Sequence, residues 1–268
     1  MTARAMSSKA TSDQLVLFAR DERGVVTLTL NRPSAFNALS EAMMAALQTE
    51  LDAASRGESV RVVVLAAAGK AFCAGHDLKE MRATPSQAYY ERLFAQCTAL
   101  MLSLQKLPFP VIAKVQGVAT AAGCQLVAMC DLAVASSEAK FAVSGVNLGL
   151  FCSTPSVALS RNLHRKAAFE MLVTGDFISA EQALAHGLVN RVALPDDLDS
   201  AVEALAASIV AKPRVAVTMG KALFYRQLEV GIAAAYEDAG HTMACNMMEP
   251  SALEGVQAFI DKRPPNWR

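Results

Sequence analysis

The chain of 268 residues is 53% hydrophobic and 19% charged, a composition that excludes wholesale disorder and can form a sizeable buried core. Its 25 Lys and Arg residues balance its 25 Asp and Glu residues, so it lacks the basic excess typical of nucleic-acid-binding proteins. A chain of this length fits one large domain, or one domain with a smaller appendage.

The chain ends and the cysteines predict no anchor, disulfide or metal site. Residues 1–12 contain no apolar run of signal-peptide length, and we interpret them as a disordered tail. The longest uncharged apolar stretch, residues 115–130, is too short to span a bilayer and is expected to be buried core. The six cysteines form no Cys-x-x-Cys pair and the four histidines no His-x-x-x-His pair. We therefore expect free thiols in a reducing cytoplasm and no metal.

The first elements of the chain are strands and an amphipathic helix. Two β-rich runs, residues 15–20 and 25–30, flank Asp-Glu-Arg-Gly at 21–24, which predicts a hairpin. Ser40 is expected to cap a helix whose apolar side carries Met43, Met44, Leu47 and Leu51.

Strands and helices then alternate. The sequence predicts a buried strand at residues 61–68, a loop at 69–77 and a long helix at 85–106. It then predicts a strand at residues 109–118, a short helix at 119–129, and two strands at 131–135 and 141–143. This rhythm is typical of an α/β fold. The rest is helical, at residues 179–186, 198–211, 213–228, 231–245 and 250–262. The change predicts a core over residues 13–199 and a helical segment over residues 200–268.

Five segments resemble one family in its order, from residue 15 to residue 263. They read NRPSAFNALS at 31–40, KAFCAGHDLKEM at 70–81, GVATAAGCQLVAMCD at 117–131, TGDFISAEQALAHGLV at 174–189 and AFIDKR at 258–263. Together they resemble the crotonase superfamily of enoyl-CoA hydratases and isomerases. Residues 119–125 and 145–155 are most similar to its enoyl-CoA hydratase domain-containing mitochondrial branch.

The resemblance implies a fold and a ligand. The fold is a spiral of repeated ββα turns with C-terminal helices that form trimers, often stacked as hexamers, so we expect a homotrimer or a hexamer. The ligand is an acyl-CoA thioester, and no separate cofactor is expected because CoA is part of the substrate. Neither a nucleic acid nor a membrane is expected as a partner.

The resemblance also implies the site residues. The backbone N–H groups of His76 and Ala122 match the pair that stabilises negative charge on the thioester oxygen. The family usually has glycine where this chain has Ala121 and Ala122. The side chain of His76 is a separate candidate base that the family does not imply. Residues that match positions contacting CoA or the acyl group are Ala38, Ala74, Gly75, Asp77, Leu78, Gly145, Phe259 and Lys262.

The two glutamates of hydratases are replaced here by Gln125 and Gly145, neither of which can exchange a proton. Two functions therefore stay open. The first is an enzyme acting on acyl-CoA, a hydratase, an isomerase or a relative with other proton carriers, with efficient hydration doubted. The second is a non-catalytic acyl-CoA-binding or regulatory oligomer. Asp77 and Glu80 are the next carboxylates to examine, and residues 147 and 152–154 are expected to form a polar loop beside the pocket.

Overall fold

The computed structural model describes residues 14–267, so the expected tail at residues 1–12 lies outside the described part. The strands are β1 (Val16–Arg20), β2 (Val25–Leu30), β3 (Val62–Ala67), β4 (Ala71–Cys73), β5 (Val111–Val115), β6 (Val118–Thr120), β7 (Leu132–Ser136), β8 (Lys140–Ala142), β9 (Ile178–Ser179) and β10 (Arg191–Ala193). The helices are α1 (Glu41–Ser55), α2 (Leu78–Ala83), α3 (Gln87–Lys106), α4 (Ala122–Met129), α5 (Ser153–Asn162), α6 (Arg165–Thr174), α7 (Ala180–His186), α8 (Leu198–Val210), α9 (Arg214–Gln227), α10 (Ile232–Met247) and α11 (Pro250–Ile260).

The predicted hairpin is confirmed, and it begins the larger of two sheets. Strands β1 and β2 pair antiparallel. The Asp21 carboxylate accepts the N–H groups of Arg23 and Val25 at 3.0 and 2.9 Å and fixes the turn, in which Gly24 has φ of +85°. The other neighbouring strands of this sheet pair parallel, in the order β1-β2-β3-β5-β7-β10.

The second sheet arises from a repeated ββα unit. In three successive units, β3 to β4, β5 to β6 and β7 to β8, the first strand joins the large sheet and the second joins a four-stranded sheet ordered β4-β6-β8-β9. A helix follows the second strand each time, with a 3-10 turn before α5 in the third unit. The predicted α/β class and its ββα rhythm are confirmed.

The core lies on both faces of the large sheet, which explains why its central strands are continuously apolar. One face packs on α1, α3 and α4, and Ser40 caps α1 by accepting the Met43 N–H at 3.1 Å, as predicted. The other face packs on α8 through Val62, Val64, Leu198 and Val202. The division at residue 200 stays a prediction.

Three predicted elements were wrong in detail. The loop at residues 69–77 contains β4, which is too short to show a strand pattern. The strand expected at residues 109–118 is two strands, β5 and β6, because the chain turns at Gly117, where a β-carbon would lie 2.0 Å from the Lys70 carbonyl oxygen. The polar loop at residues 147–154 is a 3-10 turn followed by the start of α5.

Helix α9 is fastened to the core by a buried polar cluster. The Lys221 Nζ donates to Asp131 Oδ2 at 2.6 Å and to the carbonyl oxygens of Leu104 and Phe109 at 2.9 and 3.0 Å. The Tyr225 hydroxyl donates to Asp131 Oδ1 at 2.7 Å. The helices beyond this anchor expose many large apolar side chains, among them Phe259 at 83% exposure.

Candidate active site

A cavity of about 220 Å³ opens between the second sheet and α2, α3 and α5. Its lining is Ala74, His76, Leu78, Met81, Phe94, Ala121, Ala122, Ser144, Gly145, Leu148, Leu150, Phe151, Cys152, Ser153, Thr154 and Pro155. This lining contains no carboxylate, lysine or arginine side chain. An apolar cavity with a few polar groups suits a small, largely uncharged ligand group.

Two unused backbone N–H groups meet at this cavity. The segment around His76 is held by a parallel bridge to Leu39, in which the Leu39 N–H donates to the Gly75 carbonyl oxygen at 2.8 Å. Ala122 is the first residue of α4, where helix geometry leaves the N–H without an intrahelical acceptor. Neither N–H donates to another residue within 14–267. They are free to donate to a ligand oxygen, and the helix dipole favours negative charge there.

Gly75 lets these two segments approach. It has φ of +89°, and a β-carbon there would lie 2.9 Å from the Ala121 Cβ and 3.2 Å from the Ala122 nitrogen. Any side chain at position 75 would therefore separate the two N–H groups. The glycine is required by the close approach as well as by its backbone conformation.

Ala121 occupies a strained position immediately before α4. Its φ of 51° and ψ of −122° lie in a region that non-glycine residues rarely adopt. The Ala121 N–H donates to the Ala142 carbonyl oxygen at 2.9 Å, which fixes the turn. Strained backbone of this kind concentrates at functional sites, where the surrounding structure holds it in place.

The predicted glutamate positions differ in their surroundings. Gln125 lies one turn into α4, is buried, and its Oε1 has no hydrogen-bond partner within residues 14–267, but it is not among the lining residues. Gly145 does line the cavity. A β-carbon at position 145 would lie 2.5 Å from the Leu150 carbonyl oxygen and 2.7 Å from the Cys152 Sγ. The backbone has therefore closed over the space that a side chain at position 145 would need.

The carboxylates of Asp77 and Glu80 are engaged outside the cavity. Asp77 accepts from the Arg32 Nη1 at 2.8 Å and caps α2. Burial raises the pKa of Asp77, but the hydrogen bonds from Arg32 and from the Glu80 and Lys79 N–H groups outweigh it and leave the pKa below the ordinary value of 3.8. Glu80 accepts the Glu41 N–H at 2.9 Å at the start of α1. Neither residue lines the cavity.

His76 itself lines the cavity, but its two ring nitrogens are buried away from the cavity surface. Its ring lies edge-on to Phe94, with the ring centroids 5.6 Å apart. Both ring nitrogens are buried and have no hydrogen-bond partner in the described part of the chain. Burial lowers the pKa of His76 below its ordinary value of 6.5. The Leu39 carbonyl, which forms no regular hydrogen bond with the ring, and the charge of Glu80 both raise the pKa, but by less than burial lowers it.

The residues expected to contact CoA fall into two groups. Ala74 and Leu78 line the cavity, and Gly75, Asp77 and Ala38 lie beside it, joined by the bridge between residues 39 and 76. Phe259 and Lys262, at the end of α11, are exposed and are not among the lining residues. The single chain therefore brings the two loops together but does not bring the end of α11 to the cavity.

The family model for enoyl-CoA hydratase/isomerase matches residues 20–268. The chain belongs to this family, within the crotonase superfamily. The mitochondrial enoyl-CoA hydratase domain-containing protein 3 of Rattus norvegicus is 42% identical over 96% of this chain and 85% of its own length. The 2,3-dehydroadipyl-CoA hydratase of Escherichia coli is 32% identical over 94% of this chain and 98% of its own.

Solved structures of family members share the fold. An enoyl-CoA hydratase of Mycobacterium smegmatis superposes with a TM-score of 0.93 at 71% identity, covering 94% of this chain and 98% of its own. The human enoyl-CoA hydratase domain-containing protein 3 superposes with a TM-score of 0.91 at 42% identity, covering 94% of this chain and all of its own. The crotonase-type core with its C-terminal helices is thereby confirmed.

The expectation of a cytoplasmic location is wrong by these comparisons. The similar enoyl-CoA hydratase domain-containing proteins of rat, mouse, Xenopus and human, which match 92–96% of the chain, are named mitochondrial. The prediction failed because free thiols are compatible with any reducing compartment. Within residues 14–267, no helix is both long and apolar enough to cross a bilayer.

Sequence reasoning missed much of the wall of this family site. Met81 and Phe94 come from α2 and α3, and Leu148, Leu150 and Phe151 come from the segment that we expected to be a polar loop. Four apolar residues among 148–155 were the available signal. Of the cysteines near the site only Cys152 lines the cavity, whereas burial raises the pKa of Cys73 and of Cys124 to about 12 and leaves both as inert thiols.

Proposed function

We propose that this chain binds an acyl-CoA thioester with the carbonyl oxygen between the N–H groups of His76 and Ala122. The observation that carries the proposal is this pair of unused donors at the mouth of an apolar cavity. In an enolate or tetrahedral state the oxygen gains negative charge, and each such donor lowers the barrier by about 3–4 kcal/mol.

The CoA portion follows the two loops next to the cavity. Ala38, Ala74, Gly75 and Leu78 supply backbone and small side chains along its path, and Asp77 holds the second loop through Arg32. Phe259 near the end of α11 and Lys262 just after it contribute, either from the same chain after docking or from a neighbouring subunit. No separate cofactor is required, since CoA arrives with the substrate.

The proposed site lacks the side chains that hydration of a double bond requires. Adding water across a double bond needs an acid and a base acting on one water, and each positioned group contributes roughly 10²–10⁴ in rate. Gln125 cannot exchange a proton, and Gly145 has no side chain. We therefore propose an acyl-CoA enzyme that activates the thioester but hydrates it poorly. The alternative is a non-catalytic acyl-CoA-binding or regulatory oligomer, which the loss of both glutamates favours.

A homotrimer or hexamer is proposed for the assembly. Its support is the apolar surface along residues 232–260, where the most exposed large side chains include Ile232 at 78%, Tyr236 at 75%, Met248 at 74% and Phe259 at 83%. Patches of this kind are typical of protein–protein interfaces. Light scattering on the full chain tests it, and a monomer mass independent of concentration would contradict it.

The binding proposal is tested with a thioester labelled with carbon-13 at the carbonyl. Calorimetry should show binding, and the bound carbonyl resonance should move downfield because two donors polarise it. Ala122→Pro removes one of the two N–H groups and puts a ring carbon where the carbonyl oxygen would lie, so it should abolish that shift and weaken binding. Gln87→Pro, at the first position of α3 and away from the cavity, is the matched control. Absence of binding by the unmodified chain would sink the proposal.

A further inference from the structure

Much of the cavity wall consists of large apolar side chains from two separate segments. Met81 and Phe94 come from α2 and α3, and Leu148, Leu150 and Phe151 come from the 3-10 turn and the approach to α5. The last three are also exposed to solvent, so a ligand group that covers them removes apolar surface from water. Each methylene buried in this way strengthens binding about fourfold. An alkyl chain that enters the cavity therefore gains affinity with its length.

The hydroxyl groups of the cavity are largely engaged within the chain. The Ser144 Oγ shares a hydrogen bond of 3.0 Å with the Thr120 Oγ1, and the Ser153 Oγ donates to the Phe151 carbonyl oxygen at 3.3 Å. Of the lining hydroxyls within residues 14–267, this leaves that of Thr154 to meet a polar ligand group. One hydroxyl replaces only part of the water that surrounds a carboxylate in solution.

The charges around this wall also disfavour a second anion. The charge that acts on His76 is that of the Glu80 carboxylate, which is fixed by the Glu41 N–H at 2.9 Å. The carboxylate of Asp77 is already balanced by Arg32. A ligand carboxylate at the wall would therefore meet a like charge.

The start of α5 at Ser153 is the one feature of the wall that favours an anion. Its effect is small, because the Ser153 N–H already donates to the Phe151 carbonyl oxygen at 2.8 Å. A helix N-terminus strengthens anion binding by about two- to fivefold. Removing a carboxylate from water without a cation weakens binding by about a hundredfold or more, so the unfavourable effect is the larger.

We propose that this site selects acyl-CoA thioesters whose acyl group ends in an uncharged alkyl chain and discriminates against those that end in a carboxylate. The inference rests on the proposed acyl-CoA site and specifies its substrate class. With the thioester oxygen at the N–H groups of His76 and Ala122, the alkyl chain lies against Leu148, Leu150 and Phe151. A chain that ends in a carboxylate stays in solvent, and its thioester binds like acetyl-CoA.

The experiment measures by calorimetry the dissociation constants of the full chain for acetyl-CoA, hexanoyl-CoA, adipyl-CoA and the methyl ester of adipyl-CoA. Hexanoyl and adipyl groups have the same number of carbon atoms and differ in whether the chain ends in a methyl or a carboxylate. Hexanoyl-CoA should bind at least about tenfold more tightly than acetyl-CoA, and adipyl-CoA about as weakly as acetyl-CoA. The methyl ester lacks the charge and should bind at least about threefold more tightly than adipyl-CoA.

Two variants place a cation in the wall. At least one of Leu148→Lys and Leu150→Lys should lower the ratio of the adipyl-CoA to the hexanoyl-CoA dissociation constant about threefold or more, because the ammonium pairs with the terminal carboxylate. Leu194→Lys is the matched control, since Leu194 is 64% exposed, close to the 68% of Leu148, and lies outside the cavity. The control should leave the ratio unchanged, which separates a local ion pair from general attraction of the CoA phosphates.

Several results would overturn this selectivity while leaving the proposed acyl-CoA site intact. They are adipyl-CoA binding as tightly as hexanoyl-CoA, hexanoyl-CoA binding no more tightly than acetyl-CoA, and the methyl ester binding as weakly as adipyl-CoA. A ratio that is unchanged in both wall variants, or that changes equally in Leu194→Lys, would also overturn it. Failure of all these thioesters to bind the unmodified chain would instead refute the acyl-CoA site itself.

Discussion

The Leu150 carbonyl oxygen occupies the space beside Gly145 that a side chain would need. A β-carbon at position 145 would lie 2.5 Å from that oxygen, well inside van der Waals contact. Any larger residue at position 145 therefore requires the backbone at Leu150 to move.

The first prediction follows from that contact. Gly145→Ala should lower the free energy of unfolding by about 1–3 kcal/mol, because the backbone at Leu150 or Cys152 has to shift. Gly145→Glu should destabilise at least as much and should not raise hydration of crotonyl-CoA. Urea denaturation measures the loss.

Gly240→Ala is the control, since a β-carbon there meets no atom within 4 Å and helix α10 gains from alanine. It should leave stability unchanged or raise it. Equal stability of Gly145→Ala and the unmodified chain would show that the segment at residues 145–152 moves aside freely.

A second prediction concerns Ala121, whose φ is 51°. Ala121→Gly should raise the free energy of unfolding by about 1 kcal/mol, because relief of strain exceeds the entropy cost of glycine. Ala45→Gly, in an exposed position of α1, makes the same chemical change and should destabilise by a similar amount. If the two variants shift the denaturation midpoint in the same direction, Ala121 is not strained.

The fold was largely predictable, because its signals are local and repeated. The hairpin at residues 21–24, the Ser40 cap and the five C-terminal helices follow from turn chemistry, capping and apolar spacing. Strand β4 was missed because three residues are too few for a pattern. The helical start at Ser153 was missed because Cys152 caps α5 without a side-chain hydrogen bond.

The site was predictable only as far as its backbone. The loops at residues 74–78 and 121–125 were identified from their likeness to the family, and the cavity does draw on Ala74, His76 and Ala122. The closure of Leu150 over Gly145 and the isolation of the His76 ring depend on contacts between distant segments. Spacing along the chain cannot reveal contacts of that kind.

The third prediction concerns the anchor of α9. The side chains of Lys221 and Asp131 are only 6% and 12% exposed, and their charges are 2.6 Å apart. Lys221→Met should cost about 3–5 kcal/mol, because Asp131 remains buried without its cation. Combined with Asp131→Asn, the loss should be smaller than the sum of the single losses.

Lys114→Met is the control, because its partner Asp199 is 83% exposed and the pair contributes about 0–1 kcal/mol. Guanidinium denaturation of the unmodified chain, the two single variants and the double variant gives the double-mutant cycle, and Lys114→Met is measured beside them. Additive losses would show that Lys221 and Asp131 act independently.

A fourth prediction uses pH. The pKa of Asp77 is lower in the folded chain than its ordinary value of 3.8, so its stabilisation is complete above that pH and disappears as the pH falls through the folded value. Asp77→Asn should therefore melt below the unmodified chain at pH 7, and the gap should close towards pH 2. Asp176→Asn, at an exposed position, should show no such convergence. A gap that is constant with pH would contradict the ion pair with Arg32.

The most direct test of the account is the hydration of crotonyl-CoA by the unmodified chain, followed by the loss of enoyl-thioester absorbance, with binding of the same thioester measured by calorimetry. The account predicts that crotonyl-CoA binds. Its hydration should be at least about 10²-fold slower than hydration by a hydratase carrying both glutamates, because one positioned acid–base group contributes about that factor to the rate. Hydration at the rate of such a hydratase would contradict the central claim, because it would require an acid and a base that the cavity lining does not contain.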